Sequence, residues 1–219
     1  RPEWAREDGG EAGLHPSNIH DNAYAFGTID FTGDMPVILG PDGPSLGGFV
    51  CPATTVRAEC WKLGQLTAGD TVRFVPVSLD TARAIDERQQ TVLDTLAATP
   101  KPAFAEDRDS PILRELDAET AGERLVYRRA GDEFLLIEFG EMQLEIALRF
   151  RAHAWMLWLR EHPLDGMAEL TPGIRSLQIH YDPNVLALDT LLAHLEGAER
   201  ELRDVEDLTI ESRVVHLPL

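Results

Sequence analysis

The sequence has few cysteines, few basic residues and no long apolar run, and each shortage excludes a class of protein. Only two of its 219 residues are cysteines, which is too few for a disulfide framework and favours a reducing, cytoplasmic setting. Of these, Cys51 lies in an apolar stretch and is interpreted as a buried structural thiol. The 20 basic and 38 acidic residues give a net charge of −18, which argues against nucleic-acid binding. No run of 18 apolar residues occurs, so we predict no contact with a membrane.

The start of the chain is polar and charged and has neither an initiator methionine nor a signal-peptide pattern. We therefore expect this chain to be an internal part of a longer polypeptide. Its hydrophobic content of 43% and charged content of 26% are ordinary for a globular protein. A chain of this length can bury the core of one large domain or of two small ones.

Residues 1–79 are predicted to be an all-β segment. They are rich in glycine, proline and threonine, and turn signals separate their short β-type runs. This composition is typical of part of a β-barrel or sandwich. The β-type runs are residues 37–39, 48–50 and 71–77.

Residues 80–122 are predicted to form a helix followed by a linker. Asp80 is placed to cap the helix, whose apolar positions follow a rough helical period. Prolines and acidic residues then favour an extended connector. The apolar helical positions are Ile85, Val92, Leu93 and Leu96.

Residues 123–219 are predicted to form a small α+β domain with the order β-β-α-β-α-β. In this order helices cover one face of a sheet. Trp155 and Trp158 lie three residues apart on a predicted helix, so we interpret them as core residues. The predicted strands are residues 125–129, 134–139, 174–181 and 208–215, and the predicted helices are residues 141–161 and 188–203.

The densest group of chemically active side chains lies in residues 15–22 and 28–34. Their histidines, carboxylates and amides can form a metal site, an acid/base pair or a set of anchors for a small polar ligand. The spacing of His15 and His20 does not match a zinc motif, so no metal is predicted. Polar loop residues that cap turns remain the alternative. The glycine-rich residues 41–48 lack the phosphate-loop pattern, and their glycines suit either a ligand or a turn.

Two sets of sequence blocks carry a resemblance to known families. Residues 13–78 resemble the C-terminal part of the KipA-like domain, also called the allophanate hydrolase subunit 2 type. The later blocks resemble the N-terminal part of the KipI-like, subunit 1 type. The first set is HPSNIHDNAY at 15–24, DFTGDMP at 30–36, LGPDGPSLGGFVCPAT at 39–54 and WKLGQ at 61–65. The second set is GDEFLLIEFG at 131–140 and PGIRSLQIHYDP at 172–183.

A KipA-like segment followed by a KipI-like segment is the order found in the carboxyltransferase region of biotin-dependent urea carboxylase. The resemblance implies mixed α and β structure with cyclophilin-like barrel lobes, and transfer of a carboxyl group from carboxybiotin to urea. It also implies a biotinyl carrier domain, and a biotin carboxylase domain that uses ATP and bicarbonate. The chain contains neither of these domains, and both lobes are incomplete, so we expect the fragment to be inactive alone. The alternatives are a guanidine carboxylase, a 5-oxoprolinase subunit and a KipI/KipA-type kinase-inhibitor module.

The resemblance places the site in the first polar group, where residues must orient a planar, nitrogen-rich substrate. A carboxylate at position 30 or 21 would pair with the guanidinium cation in a two-point fork, whereas neutral urea also offers a carbonyl acceptor. A structural role for either aspartate, as a turn cap, is the alternative. The predicted catalytic residues are His20, Asp21 and Asp34, and the predicted substrate-binding residues are Asn22, Asp30, Ser45, Gly47 and Gly48.

Overall fold

The structure, a computed structural model, describes residues 18–32, 35–43, 46–101, 110–203 and 214–216. Within these residues the chain forms two small sheets, one five-stranded sheet and several helices. The prediction of a mixed α and β fold is therefore confirmed. The strands of the described residues do not close a barrel. No helix among them is long and apolar enough to cross a membrane.

The described residues of the N-terminal part form five short strands in two sheets. One sheet pairs β1 with β4, and the other has the antiparallel order β3-β2-β5. The β-type runs at residues 37–39 and 48–50 overlap β3 and β4. The strands are β1 (Asn18–Ala23), β2 (Thr28–Thr32), β3 (Met35–Ile38), β4 (Leu46–Phe49) and β5 (Ala53–Thr54).

The prediction of a strand at residues 71–77 was wrong. Residues 71–76 are exposed and have no regular structure, and Val77 forms only a single bridge. A preference for β structure reflects packing on a half-buried sheet surface, and this segment lies outside all three sheets.

A 3₁₀ helix (Arg57–Gln65) and helix α1 (Leu79–Thr95) follow the small sheets and contact each other. The 3₁₀ helix lies inside residues 1–79, so the prediction that this segment is all β was wrong there. Ser78, and not Asp80, caps α1, because the Ser78 hydroxyl accepts a hydrogen bond from the Thr81 backbone N–H. Of the apolar positions predicted for this helix, Ile85 is buried and Leu93 is exposed. The buried face of α1 is therefore narrower than the apolar pattern in the sequence predicted.

The five-stranded sheet is antiparallel and has the order β6-β7-β8-β10-β9. Two of its strands were not predicted. The edge strand β6 lies in the segment interpreted as a linker, and β9 precedes the predicted strand at 174–181. Charged residues are common on edge strands, and in β6 they concealed the strand pattern. The strands are β6 (Ile112–Leu116), β7 (Leu125–Arg129), β8 (Phe134–Phe139), β9 (Met167–Pro172) and β10 (Ser176–Tyr181).

Helices α3 (Ile146–Glu161) and α4 (Leu188–Glu201) bury their apolar residues in one core with the large sheet, while α2 (Ala118–Ala121) is a single turn before β7. Trp155 is fully buried, and its ring lies 5.4 Å from that of Phe139, so its assignment to the core is confirmed. Trp158 is buried as well. Helix α3 begins five residues later than predicted. Most of the predicted closing strand at 208–215 lies outside the described residues.

Candidate functional site

Strands β1 and β4 bring several of the predicted site residues together. Asp21 and Asn22 lie in β1, where Asn22 is paired with Gly47 of β4, and Gly48 lies beside the irregular part of β1 that contains Asp21. The Asn22 side-chain amide donates to the Gly47 carbonyl over 3.3 Å, which fixes one strand on the other. Asp21 is solvent-exposed, so its carboxylate is open to a ligand.

The two glycines of β4 are required by close packing within the chain. A Cβ atom on Gly48 would lie 2.5 Å from the Ile19 carbonyl oxygen, and one on Gly47 would overlap the hydroxyl of Tyr24. The Tyr24 hydroxyl also accepts a hydrogen bond from the Phe49 N–H over 2.8 Å. Close packing leaves no room for a side chain at either position, and this is sufficient to explain both glycines.

Asp30, in β2, is a buried carboxyl group. Only 3% of its surface is exposed, and the Thr32 hydroxyl is a distant donor at 3.5 Å. Desolvation by burial raises the pKa of Asp30 above its ordinary value, although the Thr32 hydrogen bond opposes the change. Asp30 therefore retains a proton at a higher pH than an exposed aspartate does.

Tyr24 and Cys51 complete this cluster, and the sequence did not single them out for the site. Burial raises the pKa of Tyr24, and the negative charges of Asp30 and Asp21 raise it further. Burial, and then the charge of Asp30, raises the pKa of the Cys51 thiol to about 12. The thiol is thus protonated at neutral pH, which fits the interpretation of Cys51 as structural. It is half-buried and donates to the Phe49 carbonyl.

Three predicted site residues cannot be placed in this cluster. Asp34 and Ser45 lie outside the described residues. His20 belongs to β1, but its side chain is outside the described part of the structure. Among the described residues, no group of three or more His, Cys, Asp or Glu side chains is arranged to hold a metal ion.

A second polar group, which the sequence did not reveal, joins the N-terminal part to the large sheet. Its centre is Arg57, whose guanidinium contacts Asp86 at 2.5 Å, Glu133 at 3.1 Å and Asp182 at 3.6 Å. The Arg57 backbone N–H also donates to the buried carboxylate of Asp132 over 3.0 Å. Burial lowers the pKa of Arg57, but the hydrogen bond to Asp86 and the charges of Asp86, Glu133 and Asp182 together outweigh burial, so the net direction is upward.

A cavity of about 260 Å³ lies beside this cluster. Its acidic lining includes Asp86 and Asp132, and both already bind Arg57. We therefore regard the cluster around Arg57 as a structural junction. The lining residues are Arg83, Asp86, Glu87, Asp132, Pro183 and Asn184.

Comparison with known families accounts for both parts of the chain. Residues 5–76 match the family described as carboxyltransferase domain, subdomain A and B, and residues 125–219 match carboxyltransferase domain, subdomain C and D. The urea amidolyase of Lachancea kluyveri is 40% identical over 225 residues, and that of Saccharomyces cerevisiae is 37% identical over 229. Each alignment covers all of this chain but only 12% of the relative.

Solved structures agree with these relatives. The crystal structure of the Kluyveromyces lactis urea amidolyase matches with a TM-score of 0.84 and 41% identity, over 91% of this chain and 12% of that one. The Kluyveromyces lactis urea carboxylase matches with a TM-score of 0.83 and 41% identity, over 91% of this chain and 18% of that one. The chain therefore belongs to the carboxyltransferase-domain family and corresponds to the carboxyltransferase region of urea carboxylases.

Proposed function

We propose that this chain is part of a carboxyltransferase that moves the carboxyl group of carboxybiotin onto urea and so forms allophanate in urea degradation. The observation that carries the proposal is the order of the two matches. Subdomains A/B precede C/D in one chain, and relatives named for urea match that chain over its whole length.

The chemistry of the β1–β4 cluster suits urea. Urea is planar, with four N–H donors and one carbonyl acceptor. The exposed Asp21 carboxylate can accept two of those N–H groups, and the Asn22 amide can accept or donate. The hydroxyl of Tyr24 accepts from Phe49 and keeps its own proton as a donor. The cluster thus offers both kinds of partner that urea requires.

The same donors and acceptors fit biotin, because its ureido ring also has two N–H groups and a carbonyl. Because urea and biotin must be bound together for the transfer, Asn22 would hold this ring while Asp21 holds urea. When bound, biotin supplies the activated carboxyl group. We further propose that a biotinyl carrier domain delivers it, and that a biotin carboxylase domain uses ATP and bicarbonate to load it in the cytoplasm.

The residues of this chain contribute by orienting the reactants and by holding protons. Asp21 fixes the N–H face of the substrate, which removes rotational freedom before the transfer. Asp30 has a raised pKa, so its carboxyl group binds a proton more readily than an exposed aspartate does, and we assign proton transfer in this cluster to it. His20, Asp34, Ser45, Gly47 and Gly48 remain proposed members of the site. His20 and Asp34 are assigned to catalysis, and the other three to substrate binding.

Urea is the proposed substrate, because the relatives are named for urea and no comparison supports guanidine. The order of the two matches, with 35–41% identity to these relatives, also favours a carboxylase over a 5-oxoprolinase subunit or a kinase-inhibitor module.

The test is a carboxylation assay on the full-length enzyme with ATP, bicarbonate and biotinylated carrier, with urea and guanidine in parallel. We expect urea to be carboxylated, and Asp21→Asn to lower kcat/KM for urea by about 10-fold or more, because a hydrogen bond to a charged group is lost. Asp42→Asn is the matched control, since Asp42 is exposed and lies outside the cluster.

Asp30→Asn tests the substrate choice in the same assay. Preserved preference for urea in this variant supports a role in proton retention or structure. Carboxylation of guanidine in preference to urea would contradict the proposed substrate, and turnover of neither compound would contradict the carboxyltransferase assignment.

A further inference from the structure

The turn between β9 and β10 lies directly against the strand that carries Asp21. The Gly173 N–H donates to the Ser176 carbonyl over 2.8 Å, which closes the turn. The next backbone N–H, of Ile174, donates over 3.0 Å to the carbonyl of Asp21. A residue of the C/D subdomain match is thus hydrogen-bonded to the backbone of a proposed site residue in the A/B match.

There is no room for a side chain at Gly173. A Cβ atom there would lie 2.5 Å from the Ser176 hydroxyl, 2.7 Å from the Asp21 carbonyl oxygen and 3.0 Å from the Asn22 Cα. Two of these three atoms are backbone atoms of β1, which cannot move away as a flexible side chain can. The position of β1 therefore depends on the absence of a side chain at residue 173.

The turn itself is firmly anchored. Arg175 is buried, its guanidinium contacts Glu138 at 2.9 Å, and it donates to the Phe139 carbonyl at 3.3 Å. Because these contacts tie the turn to β8, a clash at Gly173 must be relieved mainly by movement of β1.

The sheet face beside β1 is buried and polar. Leu177 and Ile179 point into the helical core, so Ser176 and Gln178 alternate onto the opposite face, and β1 lies against β10. Ser176 is 2% exposed and Gln178 4% exposed. Their Oγ and Oε1 atoms have no hydrogen-bond partner within the described residues, so neither atom bonds β1 to the sheet.

We propose that Gly173 is a positioning residue for carboxyl transfer, and that the β9–β10 turn of the C/D subdomain sets the place of Asp21 and Asn22 in the A/B subdomain. This proposal rests on the proposed function for its catalytic consequence. Its structural content is the contact between the turn and β1.

The test uses the full-length enzyme with Gly173→Ala and with Gly197→Ala as the matched control. Gly197 lies in α4, and a Cβ there would be 2.9 Å from the Trp158 ring in the helical core, with no atom of β1 among its nearest neighbours. Both variants place one methyl group in a filled space. Only Gly173→Ala is expected to lower kcat/KM for urea, on the order of 10- to 100-fold, because displacement of about 1 Å disturbs the reacting groups.

A double variant identifies which contact matters. Ser176→Ala removes the hydroxyl nearest the new methyl group but leaves the contacts with Asp21 and Asn22. We expect Gly173→Ala/Ser176→Ala to remain as defective as Gly173→Ala. Recovery of kcat/KM in the double variant would show a clash confined to the turn and would overturn the proposal.

Two further readouts separate the possible failures. Hydrogen exchange should accelerate at the amides of residues 18–23 in Gly173→Ala and stay unchanged there in Gly197→Ala. ATP hydrolysis supported by free biotin should stay at the wild-type rate in both variants. If the wild-type enzyme does not carboxylate urea but the exchange result holds, the proposed function fails and the contact stands. If exchange is the same in both variants, the positioning role of Gly173 is wrong.

Discussion

Removing the guanidinium of Arg57 is expected to weaken the whole junction between the small sheets and the large sheet. The Arg57→Ala variant leaves Asp86, Glu133 and Asp182 without their shared cation, and the side chains of the first two are only 18% and 17% exposed. The backbone bond from Arg57 to Asp132 remains. The loss therefore comes from the side chain alone.

The magnitude follows from the burial of these charges. Removing one member of a fully buried ion pair costs about 3–5 kcal/mol, because the remaining charge is uncompensated. The Arg57 side chain is 30% exposed and that of Asp182 45% exposed, so water screens part of the effect. We expect Arg57→Ala to lower the free energy of unfolding by about 2–3 kcal/mol. Arg57→Lys keeps the charge but loses the fork to Asp86, and should cost about half as much.

The loss of stability in Arg57→Ala should also depend on pH. Burial raises the pKa of Glu133 and of Asp132 in the folded chain, and Arg57 opposes this rise in both. A carboxyl whose folded pKa is raised adds stability at low pH, and this stability is lost as pH rises through the folded pKa. Without the Arg57 guanidinium the pKa values of Glu133 and Asp132 rise further. The difference in the free energy of unfolding between Arg57→Ala and the wild type should therefore be greatest near pH 8 and should shrink toward pH 4.

Chemical denaturation at a series of pH values measures both quantities. Arg83→Ala is the control, because Arg83 contacts only the exposed Asp80, at 3.5 Å, among the ion pairs of the described residues, and should cost less than about 0.5 kcal/mol. Equal effects of Arg57→Ala and Arg83→Ala, or a loss that grows toward low pH, would refute the assignment of Arg57 as the junction.

Three further substitutions test other parts of the fold. Ser78→Ala removes the cap of α1 and should lower the free energy of unfolding by about 1 kcal/mol, measured by denaturation and by loss of helical circular dichroism. Tyr127→Phe removes the 2.5 Å hydrogen bond to Glu199 in the core and should cost about 1.5–3 kcal/mol; no change would mean that this bond contributes nothing. Asp30→Asn removes a buried carboxyl whose raised pKa makes it costly at high pH, so thermal unfolding should show a gain on the order of 1 kcal/mol at pH 8 and a smaller gain at pH 4.

The sequence predicted the elements whose pattern is set by burial on one face. Strands β7 and β8 have alternating or continuous apolar residues, and their predicted bounds match the structure. Helix α3 was also found, because its apolar residues recur with the helical period. Strands β6 and β9 were missed, since edge strands bury only part of each side chain and tolerate charge.

The polar side chains of the candidate site were visible in the sequence, but their environments were not. Asp21 and Asp30 are the same type of residue, yet Asp21 is exposed and Asp30 is buried, with only 3% of its surface exposed. Their different burial comes from the pairing of β1 with β4 and of β2 with β3 and β5, which is long-range information. The sequence also could not show that Tyr24 fills the space above Gly47.

The contacts that support the site are made largely by backbone atoms, and this explains why no residue pattern revealed them. The N–H groups of Arg57 and Ile174 reach Asp132 and the Asp21 carbonyl across 75 and 153 residues of chain. Any residue except proline supplies such a donor, so the donor itself leaves no trace in the sequence. A glycine beside such a donor, however, can indicate that the position has no room for a side chain. Gly173 is therefore more informative about the assembly of the site than the polar residues near it, because the backbone of β1, and not only the Ser176 hydroxyl of its own turn, leaves no room for a side chain there.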